Sequence, residues 1–194
     1  MAFDAYIRFC KPEILGSAKI ADKYDLKSVS KGDWTGKDNW IQMDEYSFGT
    51  SMAVTAARSG GTGAATTGKG KLEPFTFKKN VDKTSLNLAF HAAAGTVFSQ
   101  IVAKLFVSSS EGGASQVGIQ FLTIIMSTAV INSCKLSGGG GDDLPTEDIS
   151  INFGEIEYIY SPFQVKDGVV TTTGQKRPFW WSTVTNKGGK TEKP

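Results

Sequence analysis

The stretch LEPFTFKKNVDKTSLNLAFHAAAGTVFSQIVAKLFV, Leu72 to Val107, changes period twice. From Leu72 to Lys79 it alternates around Phe75 and Phe77, which predicts a strand. Asp82 or Thr84 then supplies a short side-chain oxygen for the free N–H groups of a helix start. The helix runs from about Lys83 to Ala94, with Leu86, Ala89, Phe90 and Ala93 on one stripe. Gly95 stands where a left-handed residue ends a helix. About three turns are too few to stand alone, so this helix must pack on a sheet. Val97 to Val107 alternates again. Val97, Ile101, Leu105 and Val107 share one face, and Phe98, Val102 and Phe106 share the other.

Outward from this block the chain reads as strands and loops. Phe3, Ala5, Ile7 and Phe9 alternate with Asp4, Tyr6 and Arg8. Trp40 to Val54 predicts a second strand, bent at Gly49. In Val117 to Ile131, Ile119, Phe121, Ile125 and Ile131 oppose Leu122, Ile124, Met126 and Val130. Glu147 to Tyr160 changes phase: Ile149, Ile151 and Phe153 share one parity, Ile156, Tyr158 and Tyr160 the other, with Gly154 as a candidate bulge. Phe179 to Val184 predicts a last aromatic strand. Residues 12–39, with Trp34 as their apolar handle, read as a loop, as do 58–71, 137–146 and 161–177; the tail 187–194 reads as disordered. The sum is one mainly β domain over 1–194, an antiparallel β-barrel or sandwich with a short α-helix. Strands apolar on both faces imply that both faces are covered. Another copy of the chain is one candidate for the outer cover.

Composition excludes more than it selects. The chain has 194 residues, 22 glycines and a net charge of +2. That charge is spread over both signs, without the basic stripe of a nucleic-acid binder. The start, MAFDAYIRFCKPEI, has neither the basic nor the apolar region of a secretory signal. No run approaches the ~18 apolar residues of a membrane span. The expectation is synthesis in the cytoplasm, no membrane insertion, and export, if any, without a cleavable signal. Cys10 and Cys134 lie far apart and outside any CxxC pattern, which predicts two free thiols.

The chemistry-bearing motifs are thin. Gly63 to Gly70, GAATTGKG, imitates a phosphate-binding loop, but Gly70 replaces the Mg²⁺-binding hydroxyl and no helix follows. Asp142, Asp143, Glu147 and Asp148 lack calcium-loop spacing and read as a solvated acidic loop. Glu155 and Glu157 share a strand side, as acid–base carboxylates can, with no further acidic residue converging on them in sequence. His91 is the single histidine. It falls beside the apolar stripe with no nucleophile signature or metal-ligand set around it, and reads as a half-covered helix-end residue. Neither catalytic residue, cofactor nor metal is expected.

The order of pieces resembles the Hcp family, tube components of bacterial type VI secretion systems. MAFDAYIRF resembles the family's first strand and WIQMDEYSFGTSM its second. RSGGTGAATTGKGKLEPFTFKKNVDKTSLNLAFHAAAG, Arg58 to Gly95, resembles its most distinctive block. Glu147 to Tyr160 and FWWSTVTNK resemble its last strands. The resemblance implies a homohexameric ring with a wide pore and rings stacked head to tail into a tube. It further implies a tube-tip spike, a contractile sheath and small effector proteins as partners. The 58–71 loop, with Arg58, Lys69 and Lys71, is implied to reach a neighbouring subunit or ring. Residues 12–39 and 161–177 are longer than the family pattern. A phage tail-tube protein is a related alternative. A monomeric carbohydrate- or ligand-binding sandwich using Trp34, Trp40, Trp180 and Trp181 is a further one, as is an enzyme built on His91, Glu155 and Glu157.

Overall fold

The computed structural model describes residues 3–21, 24–25, 36–55, 66–107, 118–141, 144–166 and 169–191. In chain order the strands are β1 (Phe3–Lys11), β2 (Glu13–Ile14), β3 (Tyr24–Asp25), β4 (Ile41–Met43), β5 (Glu45–Ser47), β6 (Thr50–Thr55), β7 (Thr66–Leu72) and β8 (Phe75–Asn80). Helix α1 (Ser85–Ala93) follows, then β9 (Val97–Val107), β10 (Gly118–Ser137), β11 (Thr146–Tyr160), β12 (Phe163–Lys166), β13 (Val169–Thr172), β14 (Arg177–Ser182) and β15 (Lys187–Gly189).

Eleven strands make one sheet along the path β15-β14-β11-β10-β9-β1-β2. The long strand β11 holds β10 on one edge. Its other edge carries β8 along Thr146–Ile151 and β14 along Glu155–Tyr160. β4 lies on β1 and runs through Asp44 into β5, which lies on β8. That corner closes the sheet into a barrel. The pairing is antiparallel apart from β3, which runs parallel to the start of β10.

Inside sits the main core: Ala5, Ile7, Phe9, Phe75, Phe77, Leu88, Phe98, Ile101, Leu105, Met126 and Ile151, among others. On the other side of β1, β9 and β10 lies a second core of Tyr6, Cys10, Val102, Phe106 and Ile125. The expected outer cover is therefore supplied within the chain. Ile20, Tyr24 and Trp40 seal this core, and Ile20 and Trp40 are fully buried. Burying a side chain of Ile20's size contributes about 1.5–3 kcal/mol. The described part of the predicted 12–39 loop thus acts as a strap, laced by bonds from Ala18 N–H to the Trp40 carbonyl (2.8 Å) and from Ile20 N–H to the Lys37 carbonyl (2.8 Å). Trp34, its expected handle, lies outside the described residues.

Other expectations are corrected in detail. The second strand is divided: Asp44 turns the barrel corner and Gly49 opens a separate two-stranded hairpin of β6 and β7. Residues 66–71 of the predicted 58–71 loop are therefore strand β7. Residues 161–177 contain the hairpin β12–β13, and the tail returns as β15 on β14. Asn186, at φ 54°, makes that last turn, and Gly188 and Gly189 lie flat against Trp181 and Trp180, where a Cβ has no room.

The phase change in β11 stands: Ile151 and Ile156 pack in the same core despite opposite parity. Gly154 is not a register bulge, because pairing with β10 continues across it; it marks the hand-over from β8 to β14. β10 has a matching break at Thr128, φ 51°, which moves Ile131 to the side of Ile124 and Met126. β9 slips too. Phe98 joins Ile101 in the main core while Val97 is 57% exposed, the reverse of simple alternation.

Candidate assembly surface

Helix α1 is oriented by a buried ionic cluster. Lys79 on β8 is 2% exposed, and its ammonium bonds Glu147 Oε2 and Asp82 Oδ1, both at 2.8 Å. It also donates to the Asn80 carbonyl at 2.8 Å and to Ser85 Oγ at 3.2 Å. Ser85 Oγ donates to Glu147 Oε2 at 2.8 Å and accepts the Asp82 N–H at 3.0 Å. Asp82 Oδ1 accepts from the Thr84 N–H (2.9 Å) and hydroxyl. Its Oδ2 accepts from Ser17 Oγ. Burial works to raise the Asp82 pKa, but the bonds from Lys79, Ser17 and Thr84 outweigh it and hold the carboxyl at about 2. Glu147, expected in a solvated acidic loop, is thus 4% exposed and ion-paired, while Asp142 and Asp143 lie outside the described residues.

Thr84 is the N-cap, yet its side chain makes no cap bond; Asp82 organises the turn from outside the helix. The Ser85 tie turns Ser85, Leu88 and Ala92 toward the barrel, with α1 packed on β10. That face is offset from the predicted stripe. Leu86 is 83% and Phe90 65% exposed, and Ala89 and Ala93 are exposed with them. Leu86, Phe90 and Val97 therefore give the region around α1 three large exposed apolar side chains. Gly95, φ 61°, ends the helix as expected, with the Thr96 N–H on the His91 carbonyl at 3.1 Å.

The β6–β7 hairpin is the second projecting feature. Its strands pair with each other and not with the barrel sheet. Lys71 is exposed at its base. Arg58 lies outside the described residues; Lys69 falls on β7, with only its backbone placement described. The Gly-Lys-Gly of the phosphate-loop imitation also lies in β7, so no helix N-terminus meets it.

The rival sites do not assemble. His91 is part-buried, shares a 3.0 Å hydrogen bond between Nδ1 and Thr96 Oγ1, and rests between the Phe90 and Phe98 rings, 5.4 Å from each. Glu155 and Glu157 stand on β11 opposite Ser182 and Trp180 of β14, whereas His91 is on α1. Trp40 is fully buried under the strap, its Nε1 on the Gly36 carbonyl at 2.8 Å and the Lys104 ammonium 5.5 Å from its ring. It is lost to any exposed aromatic ligand platform with Trp180 and Trp181. Among the described residues no group of three or more His, Cys, Asp or Glu is placed to hold a metal. No helix among them is long and apolar enough to cross a membrane. Cys10 and Cys134 are free, and burial pushes the Cys10 thiol up to about 12.

Residues 23–160 match the family described as "Type VI secretion system effector, Hcp". The chain belongs to the Hcp family. Protein hcp1 of Pseudomonas aeruginosa is 32% identical over 100 residues, which are 52% of this chain and 58% of that protein. The match therefore spans little more than half of that relative's length. A solved structure of a type six secretion system protein superposes with a TM-score of 0.73 at 25% identity, covering 97% of this chain and 100% of that one. Hcp1 from Salmonella typhimurium shares the fold, with a TM-score of 0.62 at 17% identity over 97% of this chain and 99% of its own. The barrel with one short helix is thus the Hcp fold from β1 to β15. The position of α1 in the chain was legible, but its rotation and the packing of the strap were beyond sequence reasoning. One signal was available for the ionic cluster: Lys79, Asp82 and Ser85 recur at the three-residue spacing of a helix entry.

Proposed function

We propose that this Hcp chain is a structural tube component, a single-domain subunit that closes into homohexameric rings. The rings stack head to tail into a tube exported by a type VI secretion machine. The single observation that carries this reading is the family match over residues 23–160, extended by a fold match over 97% of the chain. The surface fits the work. A ring needs a heterologous contact, one patch against a different patch on the neighbour. Exposed Leu86, Phe90 and Val97 and the free-standing β6–β7 hairpin are two such unlike features.

The strands' apolar outer sides do not support the ring, since the strap covers them. Assembly instead draws on the features outside that cover. On this reading the protein acts by shape, without turnover, cofactor or nucleic acid. The spike, the sheath and small effector proteins in the lumen are its partners, and it leaves the cell through the machine rather than by a cleaved signal. Native mass spectrometry of the purified protein tests the ring. Six-copy particles support it, and a monomer at every concentration up to hundreds of micromolar refutes it.

A further inference from the structure

The strap and the entry of α1 meet across a cleft. Gly16 lies against Trp40, where a Cβ would stand 2.0 Å from the Trp40 carbonyl oxygen. Ala18 and Trp40 then exchange two backbone bonds, at 2.8 Å and 3.0 Å. These contacts fix Ser17 at the edge of a cleft of about 410 Å³. The strap walls it at Ala18, the barrel corner at Gln42 and Asp44, and the helix entry at Lys79 to Asp82. Across this cleft Ser17 Oγ donates to Asp82 Oδ2.

Asp82 divides its two oxygens between the two sides. Oδ1 accepts from Lys79 Nζ and from the Thr84 N–H and hydroxyl, all at the helix entry. Oδ2 accepts from the strap. The carboxylate is ionised throughout the neutral range, so each of these bonds is charge-assisted and stronger than one between neutral groups. The helix entry runs on from Asp82, whose carbonyl accepts the Ser85 N–H at 3.1 Å, to Thr84, whose carbonyl accepts the Leu88 N–H at 2.9 Å. The strap is held separately, by Ile20, Tyr24 and Trp40 over the second core, whereas Leu88 seats α1 in the first. Two units with different cores, each able to open locally, thus share the Asp82 side chain.

We propose that the strap is a positioning device for α1: docked, it holds Asp82 through Ser17 and steadies the helix entry, and undocked, it releases that entry. By linkage the effect is reciprocal, so the helix steadies the strap by the same factor. This coupling stands on contacts within one chain. Its consequence is that Leu86 and Phe90, exposed on α1, are presented at a fixed angle only while the strap is docked. That consequence rests on the assembly reading above; the coupling itself does not.

The test reads the two units independently at one protein concentration. Hydrogen exchange at the Ser85 and Leu88 amides reports the helix entry, and amides of β9 and β10 report global stability. Cys10, 5% exposed in the core beneath the strap, reports strap opening by its rate of thiol labelling in a Cys134→Ser background. Ser17→Ala should speed helix-entry exchange and Cys10 labelling by the same factor, roughly ten-fold, beyond any change in β9 and β10. Ile20→Asp puts a charge into the strap's core and should undock it, speeding helix-entry exchange by that factor. Ser17→Ala with Ile20→Asp should add nothing further at the helix entry. Ser17→Ala that leaves either rate unchanged overturns the proposal. So does Ile20→Asp that leaves the helix entry as protected as before, or a double variant whose effects multiply. If Ile20→Asp does not fold, Ser17→Ala decides alone. Negative-stain images of wild type decide the ring separately, so absent rings overturn the assembly reading while the coupling is still judged by these rates.

Discussion

Replacing Glu147 by Gln should be among the most damaging isosteric changes in the chain. The carboxylate is 4% exposed and bonded through Oε2 to both Lys79 Nζ and Ser85 Oγ at 2.8 Å. The amide keeps the shape and removes the charge, leaving a 2% exposed ammonium with one carboxylate instead of two. Removing one partner of a buried pair costs about 3–5 kcal/mol when the other is stranded. Here Asp82 still neutralises Lys79, which lowers the expected cost to ~2–3 kcal/mol. With a urea slope near 2 kcal/mol/M, the midpoint should fall by about 1–1.5 M. Because association stabilises folded chains, variant and wild type are compared at one protein concentration. Lys79→Met with Glu147→Leu replaces the pair by apolar groups and should return to within about 1 kcal/mol of wild type. Glu147→Gln within ~0.5 kcal/mol of wild type, or a double variant worse than the single, would refute the reasoning.

Acid unfolding should report Asp82. Its folded pKa of about 2 lies below the unfolded 3.8, so its contribution is full above about pH 4 and is lost as pH falls toward 2. The stability gap between wild type and Asp82→Asn, followed by urea midpoints, should therefore narrow across that window; a gap constant from pH 5 to 2 contradicts the assignment. Leu88→Ala should cost about 2–4 kcal/mol because the side chain is fully buried. Leu86→Ala, two residues earlier and 83% exposed, should stay within ~0.5 kcal/mol when measured on the unassembled chain. Equal costs would mean that α1 is rotated. Gly16→Ala places a Cβ 2.0 Å from the Trp40 carbonyl oxygen, which should cost about 1–3 kcal/mol or more and loosen the strap. Hydrogen exchange at the Ala18 and Ile20 amides should accelerate; unchanged protection there would contradict the strap's role.

The barrel was legible where one strand meets one core. β1, β8 and the C-terminal glycine of α1 follow directly from alternation and from Gly95. What alternation missed has a common cause, because long-range partners decide it. Leu86 and Phe90 look like a buried stripe by spacing, but the Ser85–Glu147 bond rotates the helix and buries Leu88 instead. Ile20 and Tyr24 are too scattered to show a period, yet together they anchor the strap, since Trp40 and Phe106 offer a surface that no local pattern reveals. The breaks at Thr128 and Gly154 likewise reflect where strands change partners. The tail looked disordered because its glycines carry no pattern; they are small so that Trp180 and Trp181 can lie against them. Of the residues expected in an inter-subunit loop, Arg58 lies outside the described residues, Lys69 has only its backbone placed on β7, and Lys71 is exposed at the hairpin's base.

The central claim is that this chain works as an assembled ring, and particle mass tests it most directly. Native mass spectrometry of wild type should give a species of about 125 kDa, six times 20.8 kDa, with a central hole in negative-stain images of the same sample. A 20.8 kDa species persisting at every concentration, with solid particles in the images, would contradict it.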